Sequence, residues 1–202
     1  YGCADISKSR VAAIFEEVFG YPLTVDPLTY AGPMVEKPEK NGVHAGRIYL
    51  PGEPMRADHV YQRLIDAADG RVTDLRTLWA GGRPLLVWKK LKAAGGRFPI
   101  HSLKTTMHEP ASIFTARELR LIGAFAERMG LDWGGLDILR HRADGRIYIV
   151  DVNKTDLGPV ISLSWADKVR SMARLAEAMR ALVGQPMEIV TRPNTSCVDF
   201  LI

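Results

Sequence analysis

The chain has 202 residues, 47% of them hydrophobic and 25% charged, with a net charge of +4. That length supports one large domain or two small ones sharing a core, and the composition is that of an ordinary soluble globular protein. No apolar run approaches the ~18 residues that span a bilayer, the start Tyr1-Gly2-Cys3-Ala4-Asp5 is too polar for a secretory leader, and Cys3 and Cys197 have neither metal-site spacing nor a disulfide framework. A cytoplasmic setting without a membrane partner is therefore expected. A start at Tyr1 rather than Met suggests a fragment or a processed chain. The basic residues are scattered rather than blocked, so the charge suits a pocket for a polyanionic small molecule, and no nucleic-acid partner is expected.

The first predicted element is a helix opening near Asp5 or Ser7, either of which can cap it. Val11, Ile14, Phe15, Val18 and Phe19 recur at helical spacing, and Gly20-Tyr21-Pro22 ends the run. Pro33 to Pro38 reads as a short strand, Glu39 to Gly46 as a polar loop, and Arg47 to Leu50 as another strand. Val60 to Ile65 and Thr73 to Ala80 read as strands. Gly81-Gly82 is a hairpin turn, and Pro84 to Lys90 is the return strand. Ala93 to His108 has little periodicity and is expected to be a loop over a site. Thr115 to Met129 is an amphipathic helix, with Thr115 and Glu118 forming a capping box. A hairpin over 134–153 follows, then a helix from Asp167 to Leu182 and a tail with no evident role. Antiparallel hairpins with interspersed helices predict an α+β fold rather than a doubly wound sheet. Neither GxGxxG nor GxxxxGK[ST] is present, so Rossmann and P-loop readings have no support.

The hairpin carries the chemistry. Its apolar runs each contain one aspartate, Asp137 and Asp151. A three-residue loop Ala143-Asp144-Gly145, with Gly145 in the left-handed position, pairs 142 with 146. That register places Asp137 opposite Asp151, and strand alternation puts Asn153 on the same face as Asp151. Facing carboxylates repel. Either one is protonated, a neighbouring Lys or Arg neutralises them, or a cation sits between them. Asp, Asp and Asn form an all-oxygen set suited to Mg²⁺ or Mn²⁺. The plain alternative is a solvated sheet face.

The stretch Gly135-Leu136-Asp137 to Tyr148-Ile149-Val150-Asp151-Val152-Asn153 resembles the metal-binding hairpin of the ATP-grasp family. Upstream segments resemble that family in its own order. Asp5-Ile6-Ser7-Lys8 is similar to its lysine-bearing helix start, and Val35-Glu36-Lys37-Pro38 to its V-x-K-P strand. Gln62-Arg63-Leu64-Ile65 is similar to the strand whose hinge backbone holds adenine. Asp74-Leu75-Arg76 with Gly81-Gly82 is similar to the D-x-R strand and hairpin of ribosomal-protein glutamate ligases. The resemblance covers about residues 5–183.

It implies two α+β subdomains with antiparallel sheets gripping ATP. These would be residues 1–59 with the lysine helix and phosphate-loop strands and 60–183 with the metal hairpin, leaving 184–202 as a tail. It also implies an ATP- and Mg²⁺-dependent ligase (or Mn²⁺-dependent) that joins a carboxylate to an amine through an acyl-phosphate. The substrates would be small molecules or peptides, and homo-oligomerisation is compatible with this. Asp137, Asp151 and Asn153 would hold the metal. Lys8, Lys37, Gln62, Arg63, Leu64, Ile65, Asp74 and Lys90 would bind the nucleotide, and Arg76 and Lys89 would be catalytic, with Lys89 or Lys90 supplying one cation. Phosphoryl transfer needs such cations and no protein nucleophile. Lys40 is an alternative to Lys37. The loop after Lys37 is poorer in glycine than the family's, the second acid is Asp where Glu is commoner, and the family's usual N-terminal domain does not precede Lys8. A non-catalytic ATP-binding module is the rival reading. His101 and His108 are expected in solvent, Trp79, Trp88, Trp133 and Trp165 in packing, and the cysteines as bystanders.

Overall fold

The computed structural model describes residues 2–43, 45–67, 71–93, 103–155, 158–159 and 161–184. His101, Cys197 and the tail beyond 184 lie outside the described residues. Two antiparallel sheets organise the chain. The smaller has three strands, β1 (Met34–Pro38), β2 (Arg47–Tyr49) and β3 (His59–Arg63), in the order β2-β1-β3. The larger has five, β4 (Arg71–Ala80), β5 (Arg83–Ala93), β6 (Lys104–His108), β7 (Trp133–Arg140) and β8 (Ile147–Asn153), in the order β6-β5-β4-β7-β8. The α+β expectation therefore holds.

Alternation decides what each sheet face meets. On the large sheet, Leu75, Trp79, Val87, Leu136, Ile138 and Val152 turn to one side. They form the main core with helices α1 (Lys8–Phe19) and α3 (Ala116–Arg128), whose Val11, Phe15, Ile122 and Phe125 are fully buried. Removing side chains of this size from water is worth about 1.5–3 kcal/mol each. The opposite face meets α4 (Trp165–Val183) through a smaller cluster of Leu78, Leu86, Trp88, Leu163 and Leu175. The rest of that face looks toward the small sheet. There, Met34 and Glu36 point outward to Tyr49 and Tyr61, which leaves Val35 and Lys37 pointing inward.

Outward-facing Glu36 is wholly buried and accepts a hydrogen bond from Tyr61 Oη at 3.0 Å beside a contact with Arg47. Burial pushes its carboxyl up, but these partners outweigh it and hold it below the ordinary carboxylate range.

The capping box at Thr115 and Glu118 forms as expected. Residues 104–108, expected as part of a loop, are instead the edge strand β6. Their pattern gave no signal because the strand pairs on one side only, with β5, and sends just Thr105 and Met107 toward packed surroundings. The short helix α2 (Pro110–Ile113) was also not foreseen. Trp165 is 79% exposed rather than packed. The expected division at residue 59 does not follow the sheets, because α1 packs on β8 of the large sheet while β3 pairs with β1 of the small one. Among the described residues no helix is long and apolar enough to cross a membrane.

Candidate functional site

The hairpin β7–β8 reaches the expected pairing by an unexpected route. His141 N–H donates to Arg146 O at 2.8 Å and Arg140 pairs with Ile147, so the turn register is one residue off the expectation. Gly145 does take the left-handed conformation, with φ 71°. A bulge at Val150 then restores the register, and Asp137 faces Asp151, with Asn153 opposite Gly135.

Each aspartate has its own cation. Arg76 Nη1 lies 2.9 Å from Asp137 Oδ1, and Lys8 Nζ lies 2.7 Å from Asp151 Oδ1. Burial pushes the Asp137 carboxyl up, but Arg76, Lys90 and Lys92 outweigh it and the group is held below 3.8. Of the explanations open to the sequence, neutralisation by neighbouring cations is the one these contacts realise.

The carboxylates form the floor of a cleft between the sheets. Val35, Lys37 and Gln62 of the small sheet cover a cavity of about 170 Å³, Arg63 and Ile65 close it at the connection between sheets, and Asp74, Lys92, Asp137, Leu139, Val150 and Asp151 line the large-sheet side. The lining therefore mixes apolar residues with charged ones. Lys37 Nζ donates to Gln62 Oε1 at 2.7 Å and to Val150 O, on the bulged residue, at 3.3 Å. Burial lowers the Lys37 ammonium to about 8, although Asp151 pulls it the other way. Lys40 is exposed and is not among the residues that line the cavity, whereas Lys37 is. Gln62 is buried, and its Nε2 has no hydrogen-bond partner among the described residues, as is true of Arg63 Nε.

Two backbone donors of the segment expected to hold adenine have partners within the protein. Arg63 N–H donates to Leu23 O at 2.9 Å and Leu64 N–H to Pro33 O at 3.3 Å, so these two donors are already used. Gln62, Arg63 and Ile65 all line the cavity.

Lys89, expected at the site, does not line this cleft. It pairs with Leu75, is exposed, and lines a separate cavity with Leu75, Ile113 and Arg140 on the helix-covered side. Lys90 pairs with Asp74 and shares its face, and Lys92 follows two residues on. Their Nζ atoms lie 3.9 and 3.6 Å from Asp74 Oδ2. The reason is local. The two-residue turn pairs Ala80 with Arg83, which in an unbroken ladder would put Lys89 opposite Asp74. A bulge at Leu85 shifts the register so that Lys90 takes that place. Lys92 was missed, although alternation from Lys90 points to it. Asp74 is buried. Burial and the Asp137 charge raise its carboxyl to about 6 against the pull of Lys90, Lys92 and Arg76.

Among the described residues no three His, Cys, Asp or Glu side chains gather as a metal cluster. The hairpin set is two carboxylates and one amide. Asn153 Nδ2 faces Asp137 Oδ2 at 3.5 Å, so the amide would turn to offer its oxygen. Hard oxygen donors in this number fit Mg²⁺ or Mn²⁺ when a ligand's phosphates and water complete the shell. Gly134 keeps this set in place, because a Cβ there would lie 2.4 Å from Asn153 O. Gly134→Ala must therefore displace β8 at Asn153. We expect a stability loss of about 1–3 kcal/mol and, in a Mn²⁺ titration read by electron paramagnetic resonance, weakening on the order of tenfold. Unchanged Mn²⁺ affinity would remove Asn153 from the metal site.

No family model matches this chain, and no curated protein does. Solved structures do. An ATP-grasp ligase, PsnB, complexed with a minimal precursor superposes with a TM-score of 0.57 at 18% identity, over 89% of this chain and 61% of that one. D-alanine–D-alanine ligase from Bacillus anthracis complexed with ATP gives 0.54 at 13% identity, over 88% and 66%. L-amino acid ligase from Bacillus licheniformis gives 0.52 at 17%, over 78% and 41%. At these identities the likeness is one of fold, and the fold is ATP-grasp. The chain spans about three fifths of the length of the first PsnB structures it matches.

Proposed function

We propose that this chain, built on the ATP-grasp fold, binds ATP with Mg²⁺ between its two sheets and serves an ATP-dependent carboxylate–amine ligase. One observation carries the reading. Two facing aspartates lie at the floor of a cleft lined by Lys37 and Lys92, and Lys8, Arg76 and Lys90 pair with its carboxylates, so that these five cations outnumber Asp74, Asp137 and Asp151. Such an excess of cations beside hard oxygen donors suits a polyphosphate and its metal.

In this reading Asp137, Asp151 and Asn153 hold Mg²⁺, which neutralises phosphate charge when bound. Lys8, Lys37, Lys90 and Lys92 bind phosphate oxygens, and Asp74 keeps Lys90 and Lys92 aimed. Val35, Ile65 and Leu139 flank the base, with the donors of Gln62 and Arg63 at its edge. Arg76 stabilises charge developing on the transferred phosphoryl group. The substrate carboxylate attacks the γ-phosphorus and ADP departs. The amine then attacks the acyl carbon, phosphate departs, and the amine's proton passes to solvent. Because one PsnB structure contains a precursor peptide, we propose peptide carboxylate and amine groups as substrates. ATP as co-substrate also accords with a cytoplasmic setting.

The test is ADP release. Peptides carrying both a carboxylate and an amine side chain should raise it well above the rate with ATP alone, and the product should be lighter than the reactants by one water. ATP binding without turnover on any such peptide would favour the non-catalytic ATP-binding module.

A further inference from the structure

The segment that follows β1 is fastened to two other elements at once. Helix α1 starts at Lys8 with no cap from the Ser7 side chain. Glu39 supplies it from outside the helix. Its carbonyl accepts the Lys8 N–H at 3.2 Å, and its Oε1 accepts the Ser9 N–H at 3.2 Å and the Ser9 hydroxyl. A carboxylate at this end also meets the positive pole of the helix.

Two residues on, Asn41 reaches the metal hairpin. Its Nδ2 donates to Val152 O, the carbonyl between Asp151 and Asn153, at 2.6 Å. Its Oδ1 accepts from Lys8 Nζ at 2.7 Å and from Gly42 N–H at 2.8 Å. Lys8 is 6% exposed, and its ammonium is held between Asn41 Oδ1 and Asp151 Oδ1. One amide therefore joins the segment after β1, the lysine of α1, and the backbone of the acid-bearing strand.

We infer that Asn41 is a positioning residue that aims Lys8 and fastens residues 39–43 across the β8 hairpin. Its use for a nucleotide rests on the function proposed above. A lysine side chain is rich in rotamers, and one fixed before its anion arrives loses less entropy on binding. A loop rich in glycine would have to find its closed form through backbone contacts. Here a side chain sets it, and sets the phosphate-binding lysine with it.

The first arm of the test needs no nucleotide. Hydrogen exchange at Gly42 and pulse acylation of Lys8 are read by mass spectrometry on the protein alone. Asn41→Ala should speed both at least tenfold while α1 beyond Val11 and strand β1 keep their protection. Asn41→Asp keeps the acceptor for Lys8 and Gly42 but loses the donor to Val152. It should leave Lys8 acylation near wild type. Wild-type rates in Asn41→Ala, or loss of protection throughout α1 and β1, would overturn the inference.

The second arm titrates Mg²⁺–ADP by calorimetry. Asn41→Ala should weaken binding at least tenfold, and Lys8→Met/Asn41→Ala should be no weaker than Lys8→Met alone, because Asn41 acts through Lys8. Additive losses would overturn the positioning role. Wild type failing to bind Mg²⁺–ADP would contradict the ATP reading and leave the first arm to decide the role of Asn41.

Discussion

Arg76→Ala should cost this protein about 3 kcal/mol of stability at neutral pH, before any ligand is considered. Asp137 is a carboxylate within the cleft, and Arg76 is its nearest cation at 2.9 Å, with only 11% of the Arg76 side chain exposed. Breaking a buried pair by removing one partner strands the other charge, at a cost of about 3–5 kcal/mol. Lys90 and Lys92 also act on Asp137, which places the expectation at the lower end. The effect should depend on pH in a definite direction. The wild-type Asp137 carboxyl is held below 3.8, so the pair's contribution is full above that value and fades as pH falls through the depressed one. Arg76→Ala/Asp137→Asn should recover most of the loss, because the neutral amide needs no counter-charge. Urea unfolding of the four proteins at pH 7 measures this. If the double variant is no more stable than Arg76→Ala, the charge of Asp137 is not what the arginine serves.

Lys37→Met should separate stability from nucleotide affinity, moving them in opposite directions. The wild-type ammonium is desolvated under the small sheet, and burial brings it from 10.5 to about 8. At pH 7 the chain carries the cost of a buried charge that methionine would not have. We expect the variant to be more stable by about 1–2 kcal/mol, the gain from removing the charge being reduced by the lost hydrogen bond to Gln62. The sign follows from proton counting. Between pH 8 and 10.5 the unfolded chain binds the proton more readily than the folded one, so this group's contribution to stability rises with pH there, and the advantage of methionine should shrink. Affinity for a polyphosphate should fall on the order of tenfold to a hundredfold in the variant, since a charge-assisted hydrogen bond is worth about 1.5–3 kcal/mol. In wild type it should decline above pH 8 as Lys37 loses its proton. In Lys37→Met that decline should be absent. A destabilised variant that binds nucleotide like wild type would make Lys37 a structural lysine.

The hairpin was legible because its two signals are local. Alternation set the faces of Asp137, Asp151 and Asn153, and Gly145 marked the turn. The register came out right at Asp137 only because the Val150 bulge cancels a one-residue error at the turn. The same kind of irregularity, at Leu85, turned Lys89 away from the face of Asp74 and brought Lys90 and Lys92 to it. Bulges leave no mark in an apolar pattern, so strand faces read from a turn outward go wrong past the first one. Edge strand β6 was hidden because only one of its sides is paired. Asn41 was beyond reach altogether. Its partner, Val152 O, lies 111 residues away, and a polar residue in a polar loop carries no periodic signal. Lys8, Lys37, Arg76 and Lys90 were found through resemblance to a known family, and Lys92 was not. The way Lys8 and Arg76 are each assigned to one aspartate appears only in three dimensions.

The proposed binding of a metal-bound nucleotide by the Asp137–Asp151 pair is open to thermal unfolding with and without Mg²⁺–ATP, in wild type and in Asp137→Asn/Asp151→Asn. At about 100 times the dissociation constant, a ligand of the folded state adds ~2.7 kcal/mol, which raises the midpoint by several degrees in a chain of this size. Wild type should show that rise, it should depend on Mg²⁺, and the double variant should lose it. An equal rise in both proteins would mean that the nucleotide binds without the hairpin acids, and no rise in wild type would mean that the cleft is not an ATP site.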